Sequence, residues 1–342
     1  MSGRGLLILA LLAALAVAGV VLTRAPAPPA GEAAPEPRFL PGLHERLESV
    51  RRVDVQAPDG ADLATVVRGD GGWSVANRWD YPADLETLRG TLIGLAEARE
   101  LEPKSDRPEG HARLGVAEPG SGPGSGLGLR LGGIEPAVAV LVGQPAAEEV
   151  GGTYLRRVGE DRAWLVSGAI ERHDAIADWL DDRLVDLAAI RVHRVRIEPV
   201  DGEPVEVLLP SQDAPRFEIL GIPEGRQPLS RTLSKSIARG LAELTLVDVR
   251  PAAETRLPPL LARTRFETFD GLVIEVEAFA AGRGEPPRRL VRLRASTLAH
   301  AGPGLRESAA GLNARFDGWL YRIPDYKFVN LTYRFADVLA PE

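Results

Sequence analysis

The chain has no cysteine among its 342 residues. That excludes disulfides, thiolate nucleophiles, Cys-ligated zinc and iron–sulfur clusters. It also excludes the lipid-carrying cysteine of a bacterial lipoprotein. It leaves the compartment open, because a cysteine-free chain suits either side of a membrane. Lysine is scarce: Lys104, Lys235 and Lys327 stand against 38 arginines. With 36 glycines and 28 prolines, this reads as the base composition of a GC-rich genome. No basic excess exists, since the net charge is −7. No strongly basic balance points to nucleic acid, whose phosphates need clustered Lys and Arg, so nucleic acid is not an expected partner. Catalytic signatures are missing too: there is no G-x-S-x-G elbow and no H-E-x-x-H pair. What is present is a globular composition, 44% apolar and 26% charged, with length enough for two ordinary domains.

Only one long apolar run occurs. It extends unbroken from Leu6 to Leu22, after Arg4 and before Arg24. Seventeen helical residues span roughly 26 Å, close to the roughly 30 Å hydrocarbon core of a bilayer. Arg4 and the terminal amine favour a cytoplasmic N-terminus, which exports everything after Arg24. The rival is a cleaved signal peptide using Ala16-Val17-Ala18. An uncleaved anchor is preferred, because the run continues past that site through Leu22. The expectation is therefore an anchor over 1–24 in the cell inner membrane, with the bulk of the chain periplasmic. A Pro/Ala-rich spacer is expected over 25–49.

Beyond it the pattern becomes strands, helix, strands, twice over. Val53–Val55, Leu63–Val67 and Trp73–Val75 read as strands joined by Asp-Gly turns. Asp84 then caps a helix whose Leu85, Leu88, Leu92 and Leu95 form one stripe. The order returns with Val195–Ile197, Val205–Leu209 and Phe217–Leu220. Ser230 follows as the expected cap of a helix carrying Leu233, Ile237, Leu241 and Leu244. Gly94-Leu95-Ala96-Glu97 recurs as Gly240-Leu241-Ala242-Glu243, 146 residues on, while Val53 and Val195 are 142 apart. Later strands are expected at 126–131, 137–142, 153–158 and 163–166, then at 272–279, 290–294 and 319–323. The fold class is α+β: two tandem units, 50–190 and 191–342, each an antiparallel sheet packed on one main helix.

Several stretches together resemble the domain-of-unknown-function family 4340 (DUF4340). They are Leu40-Pro41-Gly42-Leu43, Gly72-Trp73-Ser74-Val75, Tyr81-Pro82-Ala83-Asp84 and Leu114-Gly115-Val116-Ala117-Glu118-Pro119. Gly152-Thr153-Tyr154-Leu155-Arg156, Ala163-Trp164-Leu165-Val166, Trp179-Leu180-Asp181-Asp182-Arg183 and Gly318-Trp319-Leu320-Tyr321-Arg322-Ile323-Pro324 complete the set. The resemblance implies a membrane-anchored extracytoplasmic component found alongside ABC-type export or gliding-motility transport parts. It carries no accepted catalytic residues. The Gly-rich stretch Gly120 to Gly133 departs from the family pattern as a local insertion.

Four groups invite a chemical reading, and each has a plainer one. Asp174, Asp178, Asp181 and Asp182 lie at helical spacing, where carboxylates hold a divalent cation; a solvated helix face with Arg172 and Arg183 is preferred. Gly120-Ser121-Gly122-Pro123-Gly124-Ser125-Gly126 lacks the Lys-Ser/Thr and the helix of a phosphate loop, so it reads as a flexible loop. His44, His111, His173, His193 and His300 form no metal pattern. Arg288, Arg289, Arg292 and Arg294 suit lipid headgroups or an acidic partner, but protection of a sheet edge is preferred. No catalytic, cofactor-binding or metal residue is assigned, and no cofactor is expected. The expected function is that of an accessory or scaffold protein of an ABC-type transport complex, with membrane-complex proteins as partners. An exported ligand-binding module, or an enzyme on envelope polymers with its site between the units, is the alternative.

Overall fold

The computed structural model describes residues 36–281 and 288–341. The expected anchor over 1–24, and the spacer as far as residue 35, lie outside the described residues. Among the described residues no helix is long and apolar enough to cross a membrane.

The fold is mixed α and β, dominated by antiparallel sheets with few helices. Its first strands are β1 (Arg52–Gln56), β2 (Asp62–Gly69), β3 (Gly72–Val75), β4 (Tyr81–Pro82), β5 (Glu100–Pro103), β6 (Leu127–Gly132), β7 (Val138–Pro145), β8 (Thr153–Arg157) and β9 (Ala163–Val166). They form one nine-stranded sheet in the order β4-β3-β2-β1-β6-β7-β8-β9-β5. After them come β10 (Arg183–Val185), β11 (Val192–Pro199), β12 (Val205–Leu208), β13 (Glu218–Ile219), β14 (Leu244–Thr245), β15 (Asp248–Pro251), β16 (Leu260–Thr268), β17 (Leu272–Ala281), β18 (Arg288–Thr297) and β19 (Trp319–Arg322). Eight of these form a second sheet, β13-β12-β11-β16-β17-β18-β19-β15, while β10 and β14 pair separately. The helices are α1 (Leu43–Arg46), α2 (Leu85–Glu97), α3 (Pro108–Leu114), α4 (Leu233–Ala238), α5 (Pro303–Phe316) and α6 (Asp325–Asn330).

Helix α2 forms as its sequence demands. The Asp84 carboxylate accepts from the Thr87 backbone N–H at 2.6 Å, and Leu88, Leu92 and Leu95 are buried. Leu85 completes the spacing but stays exposed. The second expected helix is cut short. It spans only Leu233–Ala238, with Thr232 rather than Ser230 at its N-cap. Leu244 falls in β14 instead. The Lys327 ammonium donates to the carbonyls of Arg239 and Ala242, closing the end of α4. The longest helix of the second half is α5, packed on β18.

The chain is packed well before residue 50, so the spacer expected to reach 49 is shorter at that end. Phe39 is fully buried, its N–H donates to the Ala98 carbonyl at 2.8 Å, and the Arg157 guanidinium stacks 4.2 Å from its ring centroid. One hydrophobic cluster then runs from Phe39 to Val338 and takes in residues of both sheets. The sheets meet at β4. Ala83 bridges Leu180, and the Tyr81 ring stands edge-on to Trp319 at 5.1 Å and to Tyr321 at 6.4 Å. Arg78 reaches Asp248 at 2.9 Å, and Trp79 Nε1 donates to Glu254 at 3.0 Å. Arg315 on α5 pairs with Asp181.

The Gly-rich stretch is not a loose loop. Ser121 and Ser125 both donate to the Glu118 carbonyl, at 2.6 and 2.9 Å. Gly124 sits at φ +82°, where a Cβ would meet the Ala112 carbonyl oxygen at 2.1 Å. Gly124→Ala is therefore expected to cost about 2 kcal/mol in urea denaturation. An unchanged midpoint would show that the loop yields freely.

Candidate functional site

The solvent face of the second sheet carries a charged groove. Strand β17 alternates, with Ile274, Val276 and Ala278 turned inward and Glu275 and Glu277 outward. Register then builds two rungs of charge across neighbouring strands. Glu275 lies opposite Arg265 and Arg294, and Glu277 opposite Arg263 and Arg292. Farther along, Arg196 faces Arg265 and Glu206, and Glu198 faces Arg263. The Arg263 guanidinium donates to Glu277 at 3.2 Å and Arg265 to Glu275 at 2.5 Å. Arg292 also donates to Glu277, at 2.9 Å through its Nε.

The groove exists because β18 parts from β19. The two pair only at Val291 and Tyr321. Past that point the Asn313 side chain of α5 replaces a strand, accepting from the Ala295 N–H and donating to the Ala295 carbonyl, both at 2.8 Å. The resulting space measures about 990 Å³, with Ala252, Asp317 and Trp319 on its rim. Exposed ion pairs of this kind contribute roughly 0–1 kcal/mol each. Their pattern bears on partner selection more than on stability. Burial alone would push the Glu277 carboxyl up, but Arg292 and Arg263 outweigh it and hold it below the usual range. That carboxylate stays ionised near neutrality and is no proton donor. Arg294 is exposed and, among the described residues, has no hydrogen-bond or ion-pair partner of its side chain.

Edge protection for the basic strand is overturned, because β18 lies inside the sheet between β17 and β19. Its arginines also divide by face. Arg292 and Arg294 lie on the groove side, while Arg289, of opposite parity, pairs with Asp325 at 3.1 Å. The four aspartates share no helix face. Asp174 pairs with Arg172 at 3.0 Å, Asp178 accepts from the Ala175 N–H at 3.1 Å, and Asp181 pairs with Arg315. Only a four-residue 3-10 turn, Ile176–Trp179, lies between them. Asp178 and Asp182 line a second cleft together with Asp84 and Glu86. The histidines are scattered. His111 is buried against the Asp161 carbonyl at 2.6 Å, His193 bonds the Leu209 carbonyl at 2.9 Å, and His173 stands edge-on to Trp179. No cluster of three metal-ligating side chains occurs among the described residues.

Strand β16, which supplies Arg263 and Arg265, was not among the expected strands. Its alternation in Leu-Ala-Arg-Thr-Arg-Phe-Glu-Thr was a usable signal, masked by small and polar residues at the inward positions.

A family model described as a domain of unknown function, DUF4340, matches residues 73–260. No curated protein and no solved structure matches the chain.

Proposed function

We propose that this chain, which belongs to the DUF4340 family, is a membrane-anchored extracytoplasmic scaffold of an ABC-type transport complex. Its protein partner sits in the charged groove of the second sheet. The observation that carries this reading is the groove itself: opposed guanidinium and carboxylate groups on four strands, engaged with one another, beside Arg294, which has no partner among the described residues. Such a surface recognises a partner of matching charge pattern and offers no nucleophile–base pair.

The same reading includes a tandem duplication with a boundary near residue 190. Strand order supports it. Replacing β1, β2, β3, β5, β6, β7, β8 and β9 in the first sheet's order by β11, β12, β13, β15, β16, β17, β18 and β19 yields the second sheet's order, once β4 is set aside. Helix α2 then corresponds to α4, each between the third strand of its unit and the edge strand. The matched family span runs through the Tyr81 junction into the second sheet, which supports two units working as a pair.

Affinity purification from gently solubilised membranes at native expression tests the reading. The expected result is co-recovery of a transporter permease or ATPase, falling at least about tenfold in Arg294→Glu, since like charge placed against a complementary patch is strongly unfavourable. Recovery of the protein alone, or a partner indifferent to Arg294→Glu, would count against it.

A further inference from the structure

The cleft between α2 and residues 169–183 is of the opposite character to the groove. It measures about 570 Å³. Two backbone bonds fix its walls: Asp84 N–H to the Trp179 carbonyl at 3.0 Å, and Asp181 N–H to the Pro82 carbonyl at 2.9 Å. Five carboxylates line it, from Asp84, Glu86, Glu171, Asp178 and Asp182, against the single guanidinium of Arg183. Among the described residues none of the five forms a salt bridge, although arginine–carboxylate pairs are common elsewhere on the protein. The unbalanced charge is felt within the cleft. Burial pushes the Asp182 carboxyl up, and Asp84 pushes it further; Arg183 offsets part of this, and Asp181 and Asp178 add to it.

A second, independent feature lies on the same wall. Thr91, in the middle of α2, lines the cleft. It is only 5% exposed, and among the described residues its hydroxyl has no hydrogen-bond partner. A buried hydroxyl left alone destabilises a fold, and a helical threonine ordinarily bonds back to its own helix. Next to it is Gly90, where a Cβ would meet nothing within 4 Å. Glycine weakens a helix interior. Here it leaves open the space in front of the carboxylates.

No three side chains among the described residues are placed to hold a metal ion, so the carboxylates are spread too widely for a bare cation. We propose that this cleft binds an organic cation through a primary ammonium or guanidinium group. Asp84 and Asp182 accept two of its N–H donors, and the Thr91 hydroxyl accepts another at the buried end. The group is carried either by a free polyamine or by a basic side chain of a peptide; the cleft recognises what the two share.

Isothermal titration of the full-length chain in neutral detergent at physiological salt tests this, with spermidine, Nα-acetyl-arginine amide and magnesium chloride as separate probes. Saturable binding of one or both organic cations is expected, about tenfold weaker in Asp182→Asn, which is about 1.4 kcal/mol. Binding should be lost in Gly90→Arg, which places a guanidinium in the cleft from its own helix. Spermidine alone binding identifies a free polycation, and acetyl-arginine amide alone identifies a peptide side chain. Thr91→Val adds a signature that a merely structural residue would lack: a higher melting temperature without ligand, together with weaker binding. Absence of saturable binding by either organic cation, equal binding of magnesium, or binding that Gly90→Arg leaves intact would overturn the proposal.

Discussion

Replacing Tyr321 with alanine lowers the unfolding free energy by about 3–5 kcal/mol, the range for deleting a large buried aromatic side chain. Tyr321 is fully buried. Its ring meets Tyr81 edge-on, and its hydroxyl donates to the Arg315 carbonyl at 3.0 Å. Tyr81 belongs to the first sheet and Tyr321 to the second, so the deletion opens a cavity where the two sheets share one core. Tyr321→Phe removes only the hydroxyl and is expected to cost about 1 kcal/mol. Urea denaturation followed by circular dichroism separates the two cases; an alanine variant as stable as the phenylalanine variant would show that the junction bears little load. The junction also carries a pH signature. Burial, reinforced by Asp181, pushes the Tyr81 phenol up to about 12, and burial pushes Tyr321 up as well. The folded value exceeds the unfolded one, near 10. Stability is therefore complete below pH about 10 and falls as pH rises toward about 12, because the unfolded chain then gives up protons the folded chain keeps. In Tyr81→Phe the decline should be shallower.

Arg156→Met is expected to cost about 3 kcal/mol. The side chain is 5% exposed. Its guanidinium donates to the Val116 carbonyl at 3.0 Å, the Glu160 carbonyl at 2.9 Å and the Glu118 carboxylate at 2.6 Å. It thus ties β8 to the segment entering the Gly-rich turn and to the β8–β9 connection. Methionine fills much of the volume but leaves two backbone carbonyls without a donor, and hydrogen bonds to a charged group are worth about 1.5–3 kcal/mol each. Arg156→Lys should recover only part of the loss, because an ammonium cannot span the three acceptors that the guanidinium fork reaches. Thermal unfolding of the three forms reads this directly. A lysine variant equal to wild type would reduce the role of Arg156 to its charge.

These positions differ in how legible they were from residues alone. Strands such as β17 could be read because large apolar side chains alternate with glutamates. Helix α2 could be read because a capping aspartate precedes a leucine stripe. Strand β16 was hidden by Ala262, Thr264 and Thr268 at its buried positions. The Thr264 hydroxyl bonds the Leu331 carbonyl at 2.6 Å, so a polar residue is satisfied inside by a contact 67 residues away. Helix α5 begins with Pro303 at its first turn, a usable signal. Its fully buried face, however, holds only Ala309 and Phe316, too thin a stripe to read. The end of α4 depends on Lys327, which no local pattern announces. The acidic cleft was half visible: Asp178 and Asp182 stood out, but the bridge from Ala83 to Leu180 that brings Asp84 and Glu86 beside them is a tertiary fact. The groove needed the register of four strands before its arginines and glutamates met.

The scaffold reading is tested most directly by site-specific photocross-linking in native membranes, with the reactive residue at Asp317 on the groove rim and a control at Val150, exposed on a loop of the first sheet. The expected result is an adduct to an integral membrane transport subunit from position 317, absent from position 150 and abolished by Arg294→Glu. Adducts of equal yield from both positions, or none from the rim while the protein is folded and at the membrane, would remove the groove as the partner site.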